Sequence, residues 1–228
     1  MAVRKEISAY HGVYFVTLTC CRWISLFEIG NAYKAVYKWF DCLKGAGHFI
    51  LGYVIMPNHL HALLAFRHTQ GKTINYIVGN GKRFMAYEIV SRLKAKHQND
   101  LLEKLASMVN LTEQRRGKLH EVFEPSFDWK ECESIEFIEQ KLSYIHENPC
   151  VGRWNLAKEP ANYLHSSAKF YCQNEQGIYP VTSYSDLDDV DLTKPWPPPQ
   201  GLLVRDCEEN LNRLSLRSVP ETGDTARK

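Results

Sequence analysis

Tyr53-Val54-Ile55-Met56-Pro57-Asn58-His59-Leu60-His61-Ala62-Leu63-Leu64 is the stretch that decides the fold. The apolar run from Phe49 to Met56 reads as a strand, Pro57-Asn58 is turn chemistry, and His59 to Phe66 reads as a strand returning beside the first. Side chains alternate across a strand, so His59 and His61 share one face while Leu60 points into the opposite layer. Their Cα atoms are then roughly 6.6 Å apart, at about 3.3 Å per residue. At that spacing two imidazoles can converge on one metal ion, each through a nitrogen at roughly 2 Å. Two neutral imidazoles leave positions open on a divalent ion, which suits chemistry at a phosphate oxygen. By itself a His-x-His pattern is more often a half-buried polar pair, so the reading needs a second element.

Upstream, Val13 to Cys21 is rich in β-branched and aromatic residues and predicts another strand, with Cys20 and Cys21 on opposite sides. Ile29 to Leu43 spaces Ala32, Val36, Trp39, Phe40 and Leu43 as an amphipathic helix, stopped by Gly45 and Gly47. Downstream, Thr73 to about Val109 is helical, with breaks predicted at Gly79-Asn80-Gly81 and around Gln98-Asn99-Asp100. Phe123 to Trp129 is read as extended, and Ser134 to Glu147 as a helix capped by the serine. This order predicts an α+β chain, a ferredoxin-like split β-α-β arrangement with a central antiparallel sheet flanked by helices. It divides into a domain over 8–175, with an extended helical insertion at about 92–118, and a C-terminal extension over 176–228, partly irregular or mobile. Asp186, Asp188, Asp189 and Asp191 followed by Pro195, Pro197, Pro198 and Pro199 mark that extension.

The second element is Lys141-Leu142-Ser143-Tyr144-Ile145-His146-Glu147-Asn148-Pro149. Residues four apart share a helix face, so Tyr144 and Asn148 are neighbours one turn apart. A phenol beside a metal can attack a phosphodiester, forming a phosphotyrosine link and releasing a 3′-hydroxyl. The bond energy is kept in that link, so rejoining needs no nucleotide cofactor. Asn148 offers an amide oxygen as a third ligand, although a residue before proline is biased away from helical angles. A lone helical tyrosine is more often a packing residue.

Composition sets outer bounds. The 228 residues are 44% hydrophobic and 24% charged, ordinary for a globular chain. No run approaches the ~18 apolar residues of a membrane span, and the first residues lack a signal peptide's apolar core. The seven cysteines form no Cys-x-x-Cys pair, which argues against a disulfide framework and a zinc knuckle and predicts a reduced, cytoplasmic protein. Net charge is +2, but Arg67 to Lys118 holds eleven basic against four acidic residues. That segment presents either a solvated helix surface or a basic face to a polyanion.

Met56-Pro57-Asn58-His59-Leu60-His61, followed by Tyr144-Ile145-His146-Glu147-Asn148-Pro149, resembles the HUH (His-hydrophobe-His) single-tyrosine transposases, and within them the REP-associated branch. The similarity spans about Gly12 to Tyr171. It includes Tyr14-Phe15-Val16-Thr17-Leu18-Thr19, Phe127-Asp128-Trp129-Lys130 and Tyr163-Leu164-His165-Ser166-Ser167-Ala168. The resemblance implies the HUH fold, with His59 and His61 as metal ligands, Tyr144 as nucleophile and Asn148 at the position of a polar third ligand. It implies magnesium or manganese as cofactor and single-stranded DNA next to a hairpin as substrate, handled by a monomer or homodimer in a nucleoid-associated setting. Lys82, Arg83, Lys94 and Lys96 then become candidate contacts to the DNA backbone. The helical stretch from Arg92 to Lys118 and the tail after Ser185 exceed the compact family pattern, and Cys150 and Trp154 depart from it.

Two other readings compete. One is a domesticated hairpin-binding protein without cleavage, against which the joint presence of His59, His61 and Tyr144 argues. The other is an HUH nickase of the relaxase or replication-initiator kind, usually part of a longer chain. A histidine-triad hydrolase would need a third alternating histidine, but position 63 is leucine.

Overall fold

β-Branched and aromatic residues build the long strands β1 (Gly12–Thr19), β2 (Phe49–Met56) and β3 (His59–Phe66), and a short β4 (Asp128–Glu131) completes the sheet. In the computed structural model, which describes residues 6–125, 127–152 and 154–196, the spatial order is β2-β3-β1-β4. All pairings are antiparallel. β1 meets β3 from Gly12↔Phe66 to Thr19↔His59, and β2 meets β3 from Phe49↔Ala65 to Met56↔His59. β3 therefore lies between β1 and β2, which run parallel to each other, and this is the split β-α-β order expected from the sequence. The Pro57-Asn58 turn sits where it was predicted, and β2 and β3 have the predicted limits.

Helices cover both faces. α1 (Leu26–Ile29), α2 (Tyr33–Gly45), α3 (Ile74–Ala95), α4 (Asn99–Ser107) and α5 (Leu111–Arg115) precede β4, and α6 (Ile135–Glu147) and α7 (Ala168–Gln173) follow it. Leu18, Leu60, Ala62 and Leu64 pack with Val36 and Phe40 of α2 and Val78, Met85 and Ile89 of α3. The alternate residues Phe15, Val54, Met56, Leu63 and Ala65 pack with Ile138, Leu142 and Ile145 of α6. Each such side chain contributes about 1.5–3 kcal/mol on burial, so three of them hold α6 firmly to its face. With both faces covered, every residue of β3 is buried, the two histidines included.

Several expected boundaries differ. The helix predicted over Ile29 to Leu43 is split into α1 and α2, with Asn31 in the left-handed region between them. α3 runs unbroken through Gly79-Asn80-Gly81. A Cβ at Gly81 would stand 2.1 Å from Nε1 of the buried Trp39, so this glycine lets α2 and α3 approach closely rather than ending a helix. The break predicted near Gln98 does occur, with His97 left-handed. β1 stops at Thr19, and Cys20 and Cys21 are both buried beyond it, Cys20 bridging Phe123. Of the segment read as extended, Phe123 makes that isolated bridge and Asp128 and Trp129 enter β4, which runs on to Glu131.

The insertion expected at about 92–118 holds the end of α3 with α4 and α5, and Leu102 and Leu105 bury it against the main core. The first part of the expected C-terminal extension is irregular yet packed. Tyr179 and Val181 enter the core on the α2 side, and the Thr182 N–H donates to the Ile50 carbonyl at 2.9 Å. The core thus crosses the boundary drawn at 175, because β2 is an edge strand whose open hydrogen-bonding groups this segment and residues 165–167 cover. Residues 197–228 lie outside the described residues. Cys20, Cys21, Cys132, Cys150 and Cys172 are free thiols. Among the described residues no helix is long and apolar enough to cross a membrane.

Two buried histidines outside the His-x-His pair give the fold a pH dependence. His48, against the Phe66 ring, and His146, 2.9 Å from the Ser167 hydroxyl, are each held down to about 4 by burial. A histidine whose folded value lies below its unfolded value of about 6.5 stabilises the fold above pH 6.5, and that stability is lost as pH falls toward 4. The expected loss by pH 5 is about 2 kcal/mol for each. Urea midpoints should therefore be flat from pH 8 to 7 and fall steadily below 6.5, with His48→Phe showing the smaller fall. Midpoints unchanged between pH 6.5 and 5 would refute this.

Candidate active site

Alternation along β3 decides what faces α6. Leu60 and Ala62 belong to the α2–α3 side, so His59 and His61 emerge on the α6 side, as the sequence predicted. Their rings are 4.6 Å apart between centroids and inclined at 72°. Nδ1 of His61 lies 2.8 Å from the Thr17 hydroxyl, its cross-strand partner on β1. Nδ1 of His59 lies 2.6 Å from Oδ1 of Asn58, and an Nδ1–H donor there leaves the lone pair on Nε2, the nitrogen a metal would take. Burial holds His61 well below the usual imidazole range, and His59 and the Lys141 ammonium push it the same way. Its ring is therefore neutral at physiological pH, the form a ligand needs.

α6 supplies the other half. Ser134 caps its start, accepting from the Phe137 N–H at 3.3 Å, and Ile138, Leu142 and Ile145 form its buried stripe. Gly52 of β2 lets the helix sit low, since a Cβ there would come within 2.5 Å of Leu142. Beside the buried stripe runs a second one, Lys141, Tyr144 and Asn148, at spacings of three and four. The Tyr144 ring is 5.1 Å from the His61 ring and 5.9 Å from Phe15, and the residue is 49% exposed. Asn148 keeps helical angles (φ −51°, ψ −40°) despite Pro149, so it stays one turn beyond Tyr144. Its Oδ1 is buried with no hydrogen-bond partner among the described residues. An orphaned buried acceptor costs about 1–3 kcal/mol, which a ligand would recover.

The two imidazoles, each engaged at Nδ1, suit a divalent ion, and Asn148 stands one turn along from Tyr144 with its amide oxygen lacking a partner among the described residues. Among the described residues no three His, Cys, Asp or Glu side chains cluster, so the other positions of an ion would fall to the amide, water or substrate.

The basic candidates lie elsewhere. α3 covers the sheet face opposite the histidines, and the fold does not bring Lys82, Arg83, Lys94 or Lys96 to Tyr144. The Lys82 ammonium donates to the carbonyls of Glu124 and Pro125, and that of Lys96 to the Ile29 carbonyl at 2.8 Å. Arg83 donates to the Asn80 amide oxygen at 3.1 Å, and Lys94 stands in the last turn of α3. Lys141 does reach the site: its Nζ lies 4.8 Å from the Phe137 ring centre, 5.2 Å from Phe15 and 6.0 Å from Tyr144. It makes no ion pair among the described residues. Its signal in the sequence was a place three residues before Tyr144 on an amphipathic helix. Thr17 and Asn58 gave no such signal, because only strand register and the turn's conformation bring them to the imidazoles.

No family model matches the sequence, and no curated protein matches it either. Among solved structures, the chain is similar to a REP-associated tyrosine transposase bound to a REP hairpin, with 14% identity and a TM-score of 0.51 over 86% of this chain and 99% of that one. A proposed transposase from Deinococcus radiodurans R1 is 13% identical over 64% of this chain and 96% of its own, but a TM-score of 0.34 carries no argument. The β2-β3-β1-β4 antiparallel sheet with helices on both faces thus gives this chain the HUH-type fold of a REP-associated tyrosine transposase.

Proposed function

We propose that this protein cuts and rejoins single-stranded DNA beside a hairpin, as a transposase does, with Tyr144 as nucleophile. The observation that carries the reading is the Tyr144 ring 5.1 Å from His61, on the sheet face that His59 shares. The fold neighbour's complex with a REP hairpin supports hairpin DNA as the partner.

In the proposed reaction the Tyr144 oxygen bonds to phosphorus and the P–O3′ bond breaks. The phenol proton passes to water, and the departing 3′-oxygen takes a proton from solvent. A 5′-phosphotyrosine link and a free 3′-hydroxyl result, and attack by a 3′-hydroxyl on that link restores the phosphodiester and frees Tyr144. Magnesium or manganese held by His59, His61 and Asn148 would supply charge stabilisation at the phosphate. The Lys141 ammonium, resting on two phenyl rings that do not neutralise it, would meet the nonbridging oxygens of the same phosphate. Arg83 and Lys94 would touch backbone phosphates away from the cut, and Lys82 and Lys96 would do so only by giving up carbonyl partners.

The test is incubation with a labelled, hairpin-bearing single-stranded oligonucleotide and magnesium, followed by denaturing electrophoresis. A covalent adduct should appear together with a shortened strand ending in a 3′-hydroxyl. Tight binding of the hairpin without adduct or nick, in magnesium and in manganese, would replace this reading with that of a non-cleaving binder.

A further inference from the structure

We propose that Trp23, with Trp154 also beside His59, forms a stacking site for an unpaired nucleobase next to that histidine. The inference rests on the reading of a single-stranded DNA substrate. A strained turn holds an indole at the mouth of the site. Arg22 (φ 50°) and Trp23 (φ 59°) are consecutive left-handed residues without glycine, a conformation that is a true outlier for a side chain as large as indole. Trp23 is nevertheless 54% exposed, so its ring does not repay the strain by burial in the core.

The turn is pinned from two sides. The Arg22 N–H donates to the Glu124 carboxylate at 2.8 Å, and the Asn58 amide donates to the Trp23 carbonyl at 3.0 Å. Oδ1 of the same Asn58 side chain meets His59 Nδ1 at 2.6 Å, so one amide fixes both the indole-bearing turn and the candidate ligand. The Trp23 ring lies 5.6 Å from the His59 ring at 70°, and the Trp154 ring lies 6.2 Å from it at 51°.

Two indoles thus lie within about 6 Å of a histidine that would sit beside the scissile phosphate. In a single strand the bases next to a phosphate are unpaired and expose their π-faces, which stack on aromatic side chains with little regard to sequence. A base seated on Trp23 would hold the adjoining phosphate at His59 and His61. The strain and the exposure then have one explanation: the turn aims the indole at a ligand rather than at the core.

The test compares wild type, Trp23→Gly and Trp23→Tyr for binding to fluorescent oligothymidylate and to the same-length backbone of abasic units. EDTA is present throughout, so neither metal nor cleavage enters. Both probes carry the same charge, so the difference isolates the bases. Wild type should bind the base-bearing strand roughly ten-fold more tightly, Trp23→Gly should lose that preference, and Trp23→Tyr should keep most of it. Because glycine accepts positive φ, Trp23→Gly should melt at or above the wild-type temperature, which a ring needed only for packing would not allow. Equal wild-type affinity for the two strands, full preference in Trp23→Gly, or no binding to either strand overturns the inference. Base preference without a covalent adduct in magnesium leaves the stacking site standing and removes the cleavage reading. An adduct without base preference does the reverse.

Discussion

Tyr144→Phe should bind the hairpin oligonucleotide as tightly as wild type and cut it at least about a thousand-fold more slowly, with no covalent adduct. The substitution deletes one oxygen and leaves the ring, with its contacts to His61 at 5.1 Å and Phe15 at 5.9 Å. Among the described residues the Tyr144 hydroxyl makes no hydrogen bond, so its loss leaves no unsatisfied partner, and the melting temperature should barely move. Affinity should be unchanged because phosphate contacts and stacking do not use the hydroxyl. If the variant still nicks at a comparable rate, the attacking group is water or another side chain, and the proposed mechanism fails at its first step. If wild type and variant both bind without cutting, a domesticated binder remains.

His61→Ala and His59→Ala should each lower cleavage by about a hundred- to a thousand-fold, and the double variant should be little worse than either. Groups that hold one ion act as a unit, so losing the second costs little after the first has gone. His61→Ala also strips the Thr17 hydroxyl of its partner and empties a buried position, so some destabilisation is expected from this change alone. A second measurement separates the two effects. Manganese should raise the melting temperature of wild type, as any ligand bound only by the folded state does, and should not raise that of either variant. EDTA should reduce wild-type cleavage to the level of the variants. Metal-dependent cleavage that persists in the double variant would show that the ion binds elsewhere.

The same geometry explains how the site relates to its surroundings. Both imidazoles lie at the turn end of a central strand in a sheet covered on two sides, where burial keeps His61 neutral. Tyr144 sits at the rim of α6, half exposed, where a long polyanion can reach it. A nucleophile buried as deeply as the histidines would be closed to DNA, and histidines as exposed as Tyr144 would be better solvated and less available to a metal.

Local sequence alone determined the hairpin of β2 and β3, its Pro57-Asn58 turn, the shared face of His59 and His61 and the Ser134 cap of α6. Each of these follows from a period of two or 3.6 residues or from a capping side chain, so no distant residue is needed to read it. Tertiary structure decided which layer covers which face. Tyr144 reaches His61 across 83 positions of chain only because Leu142 and Ile145 bury against the alternate face of β3, and α3 carries Lys82 and Arg83 away because its apolar stripe buries against the other. Gly81 reads locally as a break and structurally as a contact with Trp39, since helix packing outweighs the roughly 1 kcal/mol that glycine costs a helix. Thr17, Asn58, Trp23 and Lys141 acquire their places from register, turn strain and helix docking, and these depend on residues far apart in the chain that no local pattern records.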